Sequence, residues 1–126
     1  MISSLPLIEF LLNSNTNYSI GIGIKNKKLF KIVSAEFSKL NINKRVIYDW
    51  DYNGGREISY SDGSKVYFEI LTFHKKNNYA QIFLGVRLDL IFWYADVSLN
   101  KDILTTMALI MKRDSDKPNG IFQIYR

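Results

Sequence analysis

The dipeptide Asp62-Gly63 constrains the fold most, because it lies between two β-like runs in the segment REISYSDGSKVYFEILTF. Asp-Gly is favoured in the two-residue type I′ turn of a β-hairpin, where both turn residues adopt positive φ. Such a turn sets the register of the two strands and predicts three cross-strand pairs: Arg56 with Glu69, Ile58 with Tyr67, and Tyr60 with Lys65. The first of these pairs predicts a cross-strand ion pair.

Periodicity predicts further elements before this hairpin. Residues 4–13 have the spacing of a short helix, with Ser4 as its N-cap. The segment YSIGIGIK alternates strictly between isoleucine and small residues, which predicts a strand with one apolar face. Apolar residues at helical spacing predict a helix over 28–41, although LFKIV also fits a strand. Four residues are then expected on the polar face of that helix: Lys27, Lys31, Ser34 and Ser38.

The region after the hairpin predicts a long strand over about 79–95, bent at Gly85. Residues 100–113 fit a helix capped by Asn100, and the part ILTTMALIM also fits a strand paired with IFQIY. The predicted fold is α+β, an antiparallel β-meander sheet with two or three helices packed on one face. A length of 126 residues predicts a single globular domain over 1–126.

The basic residues are concentrated in one segment. Residues 25–45 hold seven basic residues against Glu36 alone, a net charge of +6, whereas the whole chain carries +5. Concentrated charge steers partners, so we expect this segment to dock an acidic protein surface or nucleic acid. The candidate residues are Lys25, Lys27, Lys28, Lys31, Lys39, Lys44 and Arg45. Lysine dominates over arginine and Phe30 is the only candidate for base stacking among the lysines, which favours a protein partner over nucleic acid.

The stretch DWDYNGG, residues 49–55, begins like a calcium-binding loop, with Asp49 and Asp51 at the first and third places. Its twelfth place, where such a loop needs a bidentate carboxylate, is Tyr60. We therefore expect no metal here and interpret Asn53-Gly54-Gly55 as turn residues. Asp49 and Asp51 then form an acidic strand face, with Trp50 on the other side, that meets a basic partner or the protein's own 25–45 segment.

Two other patterns could carry chemistry. GIGIKNKK resembles a phosphate loop, but the third glycine of a dinucleotide fingerprint is replaced by Asn26. We interpret Gly21 and Gly23 instead as positions where another element packs close to the strand. His74 is the only histidine, and no Ser or Asp is placed beside it by spacing alone. The absence of cysteine excludes disulfides, a cysteine nucleophile and thiolate metal sites. No cofactor is expected.

The chain as a whole, from MISSLPLIEFLLNS to IFQIYR, resembles the small immunity proteins of bacterial toxin systems, including those of contact-dependent inhibition. The resemblance implies a cytoplasmic, non-enzymatic protein that neutralises a cognate toxin by covering its functional surface. A small enzyme with a carboxylate or His74 site remains an alternative. The most apolar stretch is cut by Arg87 and Asp89 and is too short for a membrane span, so no membrane partner is expected.

Overall fold

The structure, a computed structural model, describes residues 5–52, 54–71, 83, 86–94, 111 and 120–124. They form two helices and six strands: α1 (Leu5–Leu12), β1 (Ser19–Ile24), α2 (Lys27–Ser38), β2 (Val46–Tyr52), β3 (Gly55–Tyr60), β4 (Lys65–Ile70), β5 (Leu90–Tyr94) and β6 (Gly120–Ile124). The α+β class is therefore confirmed. The predicted helices over 4–13 and 28–41 correspond to α1 and α2. The predicted strand RVIYDW overlaps β2, and IFQIY overlaps β6 over residues 121–124.

The sheet is mixed, with strand order β2-β3-β4-β1-β5-β6. β2, β3 and β4 form an antiparallel meander, whereas β1 lies parallel to both β4 and β5, and β5 lies parallel to β6. The expectation of a purely antiparallel meander is therefore wrong for three of the five strand pairings. Parallel strands need long crossover connections, and strand alternation along the sequence does not reveal which strand the chain returns to.

Both helices pack on the same face of the sheet, as predicted. Apolar side chains of α1 and α2, including Ile8 and Val33, join the inward-facing side chains of β1, β3, β4 and β5 in one core. A second cluster covers the other face of β1 and β5, and it contains Phe83, Leu88 and Trp93. A third helix over 100–113 falls outside the described residues except at Met111, which forms an isolated bridge with Leu88.

β1 is buried along its whole length because it is a central strand covered on both faces. The prediction of one apolar face was wrong in this respect, since the face that carries glycine is also covered. A Cβ atom on Gly21 would lie 2.6 Å from Cδ1 of Leu88, and one on Gly23 would lie 2.9 Å from Cε3 of Trp93. The interpretation of these glycines as positions of close packing is therefore confirmed.

Asn26 acts as the N-cap of α2. Its backbone is extended, with φ −152°, and its side-chain oxygen accepts a hydrogen bond from the Leu29 N–H at 2.9 Å. Asparagine is a preferred N-cap because it satisfies one of the free N–H groups of the first turn. Asn26, which stands where the dinucleotide fingerprint has its third glycine, thus caps a helix that begins at Lys27. The predicted helix began one residue later, at 28.

The β3–β4 hairpin has a three-residue loop, so the predicted register was wrong by one residue. The Tyr60 N–H donates to the Ser64 carbonyl at 2.8 Å, and the Gly63 N–H donates to the Tyr60 carbonyl at 3.0 Å. Gly63 alone in the loop has positive φ, at 93°. This is a turn followed by a left-handed glycine, the usual three-residue hairpin. Its extra residue places Arg56 opposite Phe68 rather than opposite Glu69.

The long strand predicted over 79–95 is confirmed at Leu90–Tyr94, which is β5, but wrong in the described residues before it. Regular pairing begins at Leu90, and Phe83 has a positive φ of 64°, which a strand does not accommodate. Between them, Leu88 contributes only the isolated bridge. Gly85, the predicted bend, and His74 lie outside the described residues.

Candidate functional site

β2 forms one edge of the sheet. It pairs with β3 on one side, and nothing in the described part of the chain pairs with its other side. Six of its seven residues are exposed, and the exposed set includes Val46, Tyr48 and Trp50. Edge strands present unpaired backbone groups that can bind another strand, and natural proteins commonly keep them short or covered.

The hydrogen bonds of β3 show which backbone groups of β2 are free. The Tyr60 N–H donates to the Ser64 carbonyl, and the Ile70 N–H donates to the Gly54 carbonyl, each at 2.8 Å. In an antiparallel ladder, successive residues bond to alternate neighbours. Even-numbered residues of β3 therefore bond to β4, and odd-numbered residues bond to β2.

The residues of β2 opposite those odd-numbered positions are Tyr48, Trp50 and Tyr52. Their backbone groups face β3. By the same alternation, the N–H and C=O groups of Asp49 and Asp51 point away from the sheet into solvent. β2 thus offers two consecutive outward-facing backbone sites for a pairing strand.

The side of β2 away from α2 carries an aromatic row. The ring centroids of Tyr48 and Trp50 lie 6.5 Å apart, and those of Trp50 and Tyr52 lie 5.2 Å apart. Tyr48 is 43% exposed and Trp50 is 54% exposed. Large aromatic side chains at this exposure are typical anchors of protein interfaces.

Tyr52 closes one end of the aromatic row. Its hydroxyl donates to Oε1 of Glu69 at 3.2 Å and lies 3.3 Å from the Phe68 carbonyl. Burial, followed by the negative charge of Glu69, raises the pKa of the Tyr52 hydroxyl well above its usual value of 10. Tyr52 is therefore a neutral hydrogen-bond donor that fixes its end of the row.

The opposite side of β2 carries Asp49 and Asp51, which meet Arg56 of β3. Nε and Nη2 of Arg56 donate to the two carboxylate oxygens of Asp49 at 2.9 and 2.8 Å, a bidentate pair. Asp51 lies 3.6 Å from the same guanidinium and is 73% exposed. The aspartates thus share a strand face, as predicted, but the basic group that they contact is Arg56 rather than the 25–45 segment.

Arg56 also ties the sheet to α2. Its Nη1 donates to the hydroxyls of Ser34 at 2.8 Å and Ser38 at 3.0 Å. The hydrogen bond to Asp49 raises the pKa of Arg56 above its usual value, although burial acts in the opposite direction. Ser34 and Ser38 were predicted on the polar face of the helix, and Ser38 is exposed there. What the sequence did not indicate is that both hydroxyls accept hydrogen bonds from an arginine of the sheet.

A cleft of about 270 Å³ opens beside this ion pair, between the C-terminal end of α2 and the start of β2. Its walls combine apolar and polar side chains: Phe37, Ser38, Leu40, Ile42, Lys44, Val46, Asp49, Arg56, Ile58 and Tyr60. Burial raises the pKa of the Tyr60 hydroxyl to about 12, even though nearby Arg56 lowers it. Tyr60 is therefore a protonated donor at neutral pH.

The predicted basic surface is divided by the fold. Lys25, Lys27, Lys28 and Lys31 lie at or before the first turns of α2, and Lys39, Lys44 and Arg45 follow its C-terminal end. The 12 residues of α2 span about 18 Å. Nζ of Lys44 also forms an ion pair with Oδ2 of Asp62. The +6 segment thus forms two separate groups, and one of its lysines is engaged inside the protein.

Sequence reasoning missed Arg56, Tyr60 and the aromatic row as parts of one site. The available signal was the alternation of aromatic and acidic residues from Tyr48 to Tyr52. A half-buried strand alternates apolar and polar residues, whereas this strand carries no aliphatic residue on either face over those positions. Such a pattern indicates a strand with no core on either side.

No protein-family model matches the chain, and no curated protein matches it. Among solved structures, the chain is similar to the large terminase from a thermophilic bacteriophage, with a TM-score of 0.52 and 15% sequence identity. The match covers 97% of this chain but only 29% of the terminase chain. At this identity the likeness is one of fold and carries no assignment of activity.

Neither helix in the described residues is long and apolar enough to cross a membrane. Within the same ranges, no three His, Cys, Asp or Glu side chains are grouped so that they could hold a metal ion. Asp49, the first position of the calcium-like stretch, is instead paired with Arg56.

Proposed function

We propose that this protein binds another protein by accepting one of its strands at the open edge of β2. The observation that carries the proposal is the exposed β2 edge, where the backbone groups of Asp49 and Asp51 point into solvent. Strand addition uses main-chain hydrogen bonds for affinity and alternating side-chain sites for specificity. β2 has both, because side-chain groups of different chemistry flank its edge on the two faces.

The aromatic row supports the same proposal. A strand added beside β2 lays alternate side chains over Tyr48, Trp50 and Tyr52, where rings at van der Waals range bury apolar area without losing much side-chain freedom. Trp50 at the centre of the row is the residue we expect to contribute most. Hot spots of interfaces are enriched in tryptophan and tyrosine near the centre of the contact.

The role we propose is that of a non-enzymatic, cytoplasmic inhibitor resembling toxin-immunity proteins, with a cognate toxin domain as the partner. Occlusion of a toxin by strand addition needs no catalytic group and no cofactor. Nucleic-acid binding by residues 25–45 is less well supported, since the basic residues fall into two groups at opposite ends of α2. The lysines remain candidates for peripheral contacts that accelerate association.

A growth-protection assay tests the proposal. The chain is co-expressed with the product of the neighbouring gene, and both protection and co-purification are measured. Asp51→Pro removes an outward-facing N–H while leaving the β2–β3 ladder intact, because proline is tolerated on edge strands where its nitrogen faces solvent. Asp51→Ala is the matched control, since it removes the charge but keeps the N–H.

We expect Asp51→Pro to abolish protection and co-purification. Asp51→Ala should reduce affinity only by the contribution of one exposed charge. Circular dichroism and thermal melting establish that both variants fold. A folded Asp51→Pro variant that protects as well as the parent chain would refute strand addition at β2. Failure of the parent chain to bind or protect would refute the immunity role.

A further inference from the structure

We infer that the cleft between α2 and β2 is a pocket for one long, uncharged apolar side chain of the partner strand, next to a Lys or Arg of that strand that pairs with Asp51. This inference rests on the proposed function and adds the chemistry of the segment that β2 accepts. Three observations support it: the position of the cleft, the charges in its walls, and the charge on the edge.

The cleft is adjacent to the open edge. Val46 and Asp49 of β2 form its outer wall, and Arg56, Ile58 and Tyr60 of β3 lie behind them. Side chains of a strand alternate between its two faces, so every second residue of an added strand projects over the side that faces α2. Such a residue reaches the cleft only if it is long, as leucine, methionine and phenylalanine are.

The walls of the cleft favour an uncharged guest. Arg56 is bound by Asp49, Ser34 and Ser38, and Lys44 is bound by Asp62. A charged side chain entering the cleft would be desolvated without gaining a free counter-charge, which is costly. The apolar part of the lining, which includes Leu40, Ile42 and Ile58, suits an aliphatic or phenyl group.

The edge itself favours a basic neighbour. Asp51 is 73% exposed and Asp49 is 39% exposed, and no basic residue lies on β2. Two copies of this chain pairing β2 with β2 about Asp49 or Trp50 would bring aspartates of both chains opposite each other. Like charges directly opposite across strands are destabilising. The same aspartates attract a Lys or Arg on a strand of another protein.

The combination specifies a sequence pattern in the partner. Asp51 and the cleft lie on the same face of β2, so the basic residue and the long apolar residue must be an even number of positions apart. The nearest arrangement places them two positions apart in an extended segment. Trp50 lies on the opposite face of β2, so it does not contribute to the selection of this spacing in the partner strand.

A peptide-display selection tests the inference. The purified chain is used to select from a random library of peptides about 12 residues long, roughly twice the length of a typical strand, and the affinities of synthetic binders are measured by fluorescence anisotropy. Val46→Trp fills the mouth of the cleft from the surface. Ile47→Trp is its control, since Ile47 is exposed on the same strand and does not line the cleft. Asp51→Pro tests strand pairing separately.

We expect selected peptides to carry Leu, Met or Phe two positions from Lys or Arg. Val46→Trp should weaken their binding about 10-fold or more, as expected for loss of one buried apolar side chain, and Ile47→Trp should change it less than about 2-fold. Equal effects of the two tryptophan variants would overturn the pocket while leaving strand addition intact if Asp51→Pro still abolishes binding. Binding that survives Asp51→Pro would overturn both.

Light scattering of the free chain provides a further check. A dimer that Asp51→Pro converts to a monomer would show that a second copy occupies the edge, and it would overturn the inference. Replacement of the apolar residue in a selected peptide by alanine and by lysine adds a readout that does not depend on the folding of any variant. We expect lysine to weaken binding at least as much as alanine, and a tighter lysine peptide would contradict an uncharged pocket.

Discussion

Replacing Arg56 with methionine should destabilise the protein by about 2–3 kcal/mol, because Arg56 connects β2, β3 and α2 through side-chain hydrogen bonds. Methionine keeps the length of the side chain and its apolar contact with Phe68, whose ring centroid lies 5.9 Å from the guanidinium carbon. The change therefore removes the charge and the donors and little of the packing.

The magnitude follows from the exposure of the partners. Arg56 is 9% exposed and donates twice to Asp49 and once each to two serine hydroxyls. Hydrogen bonds to charged groups contribute about 1.5–3 kcal/mol each when buried. Asp49 is 39% exposed and regains water when the arginine is removed, which reduces its share to that of a surface pair. Ser34 is half-buried and Ser38 is exposed, and the hydrogen bonds that their hydroxyls accept account for the rest.

Urea unfolding followed by tryptophan fluorescence measures the loss in free energy of unfolding. In thermal unfolding, the same loss should lower the melting temperature by about 10 °C for a chain of this size. A double-mutant cycle with Asp49→Asn separates the ion pair from the serine contacts. We expect a coupling energy of about 1 kcal/mol. Arg56→Lys is the charge-preserving control and should recover less than half of the loss, because lysine lacks the planar fork.

Two results would refute this reasoning. An Arg56→Met variant as stable as the parent chain would mean that desolvation of the guanidinium cancels its hydrogen bonds. A coupling energy near zero between Arg56 and Asp49 would mean that the bidentate pair contributes no stability at all. Either result would mean that the side-chain hydrogen bonds of Arg56 do not hold β2 against α2.

Single contacts elsewhere in the sheet lead to three more expected outcomes. Gly55→Ala should cost about 3 kcal/mol in urea unfolding, since its Cβ would collide with the backbone carbonyl oxygen of Phe68. Burial raises the pKa of Asp62, but hydrogen bonds from Lys44 and Ser64 outweigh it and lower the pKa below 3.8. The stability that results from this shift is present above about pH 4 and is lost on further acidification. Asp62→Asn should therefore destabilise the protein by about 1 kcal/mol at neutral pH. The variant should also lose less stability than the parent chain when the pH is lowered below about 4. The pKa of Tyr60 is raised from 10.0 to about 12, so its contribution is present below the lower value and lost as pH rises through the higher one. Tyr60→Phe should therefore reduce the alkaline loss of stability, and an unchanged alkaline limb would contradict the assignment.

The elements of the fold were predictable where one side of an element is apolar. The helical spacing of α1 and α2 follows from burial of one face, which the local sequence encodes directly. The site was predictable only in part. Asp49 and Asp51 were identified as one acidic strand face, but their partner Arg56 was assigned to Glu69 through a register that is wrong by one residue.

The sequence alone therefore indicated α1, α2 and the strands as far as β4, a hairpin that turns at Gly63, and the acidic face of β2. Tertiary structure decided the strand order, the burial of β1 on both faces, and the position of β2 at the edge. The physical reason is the separation along the chain of the residues that make the deciding contacts. Periodicity reports what each segment buries, whereas strand order depends on contacts between segments far apart in the chain. A single extra loop residue, which local propensity leaves open, was enough to place Phe68 rather than Glu69 opposite Arg56.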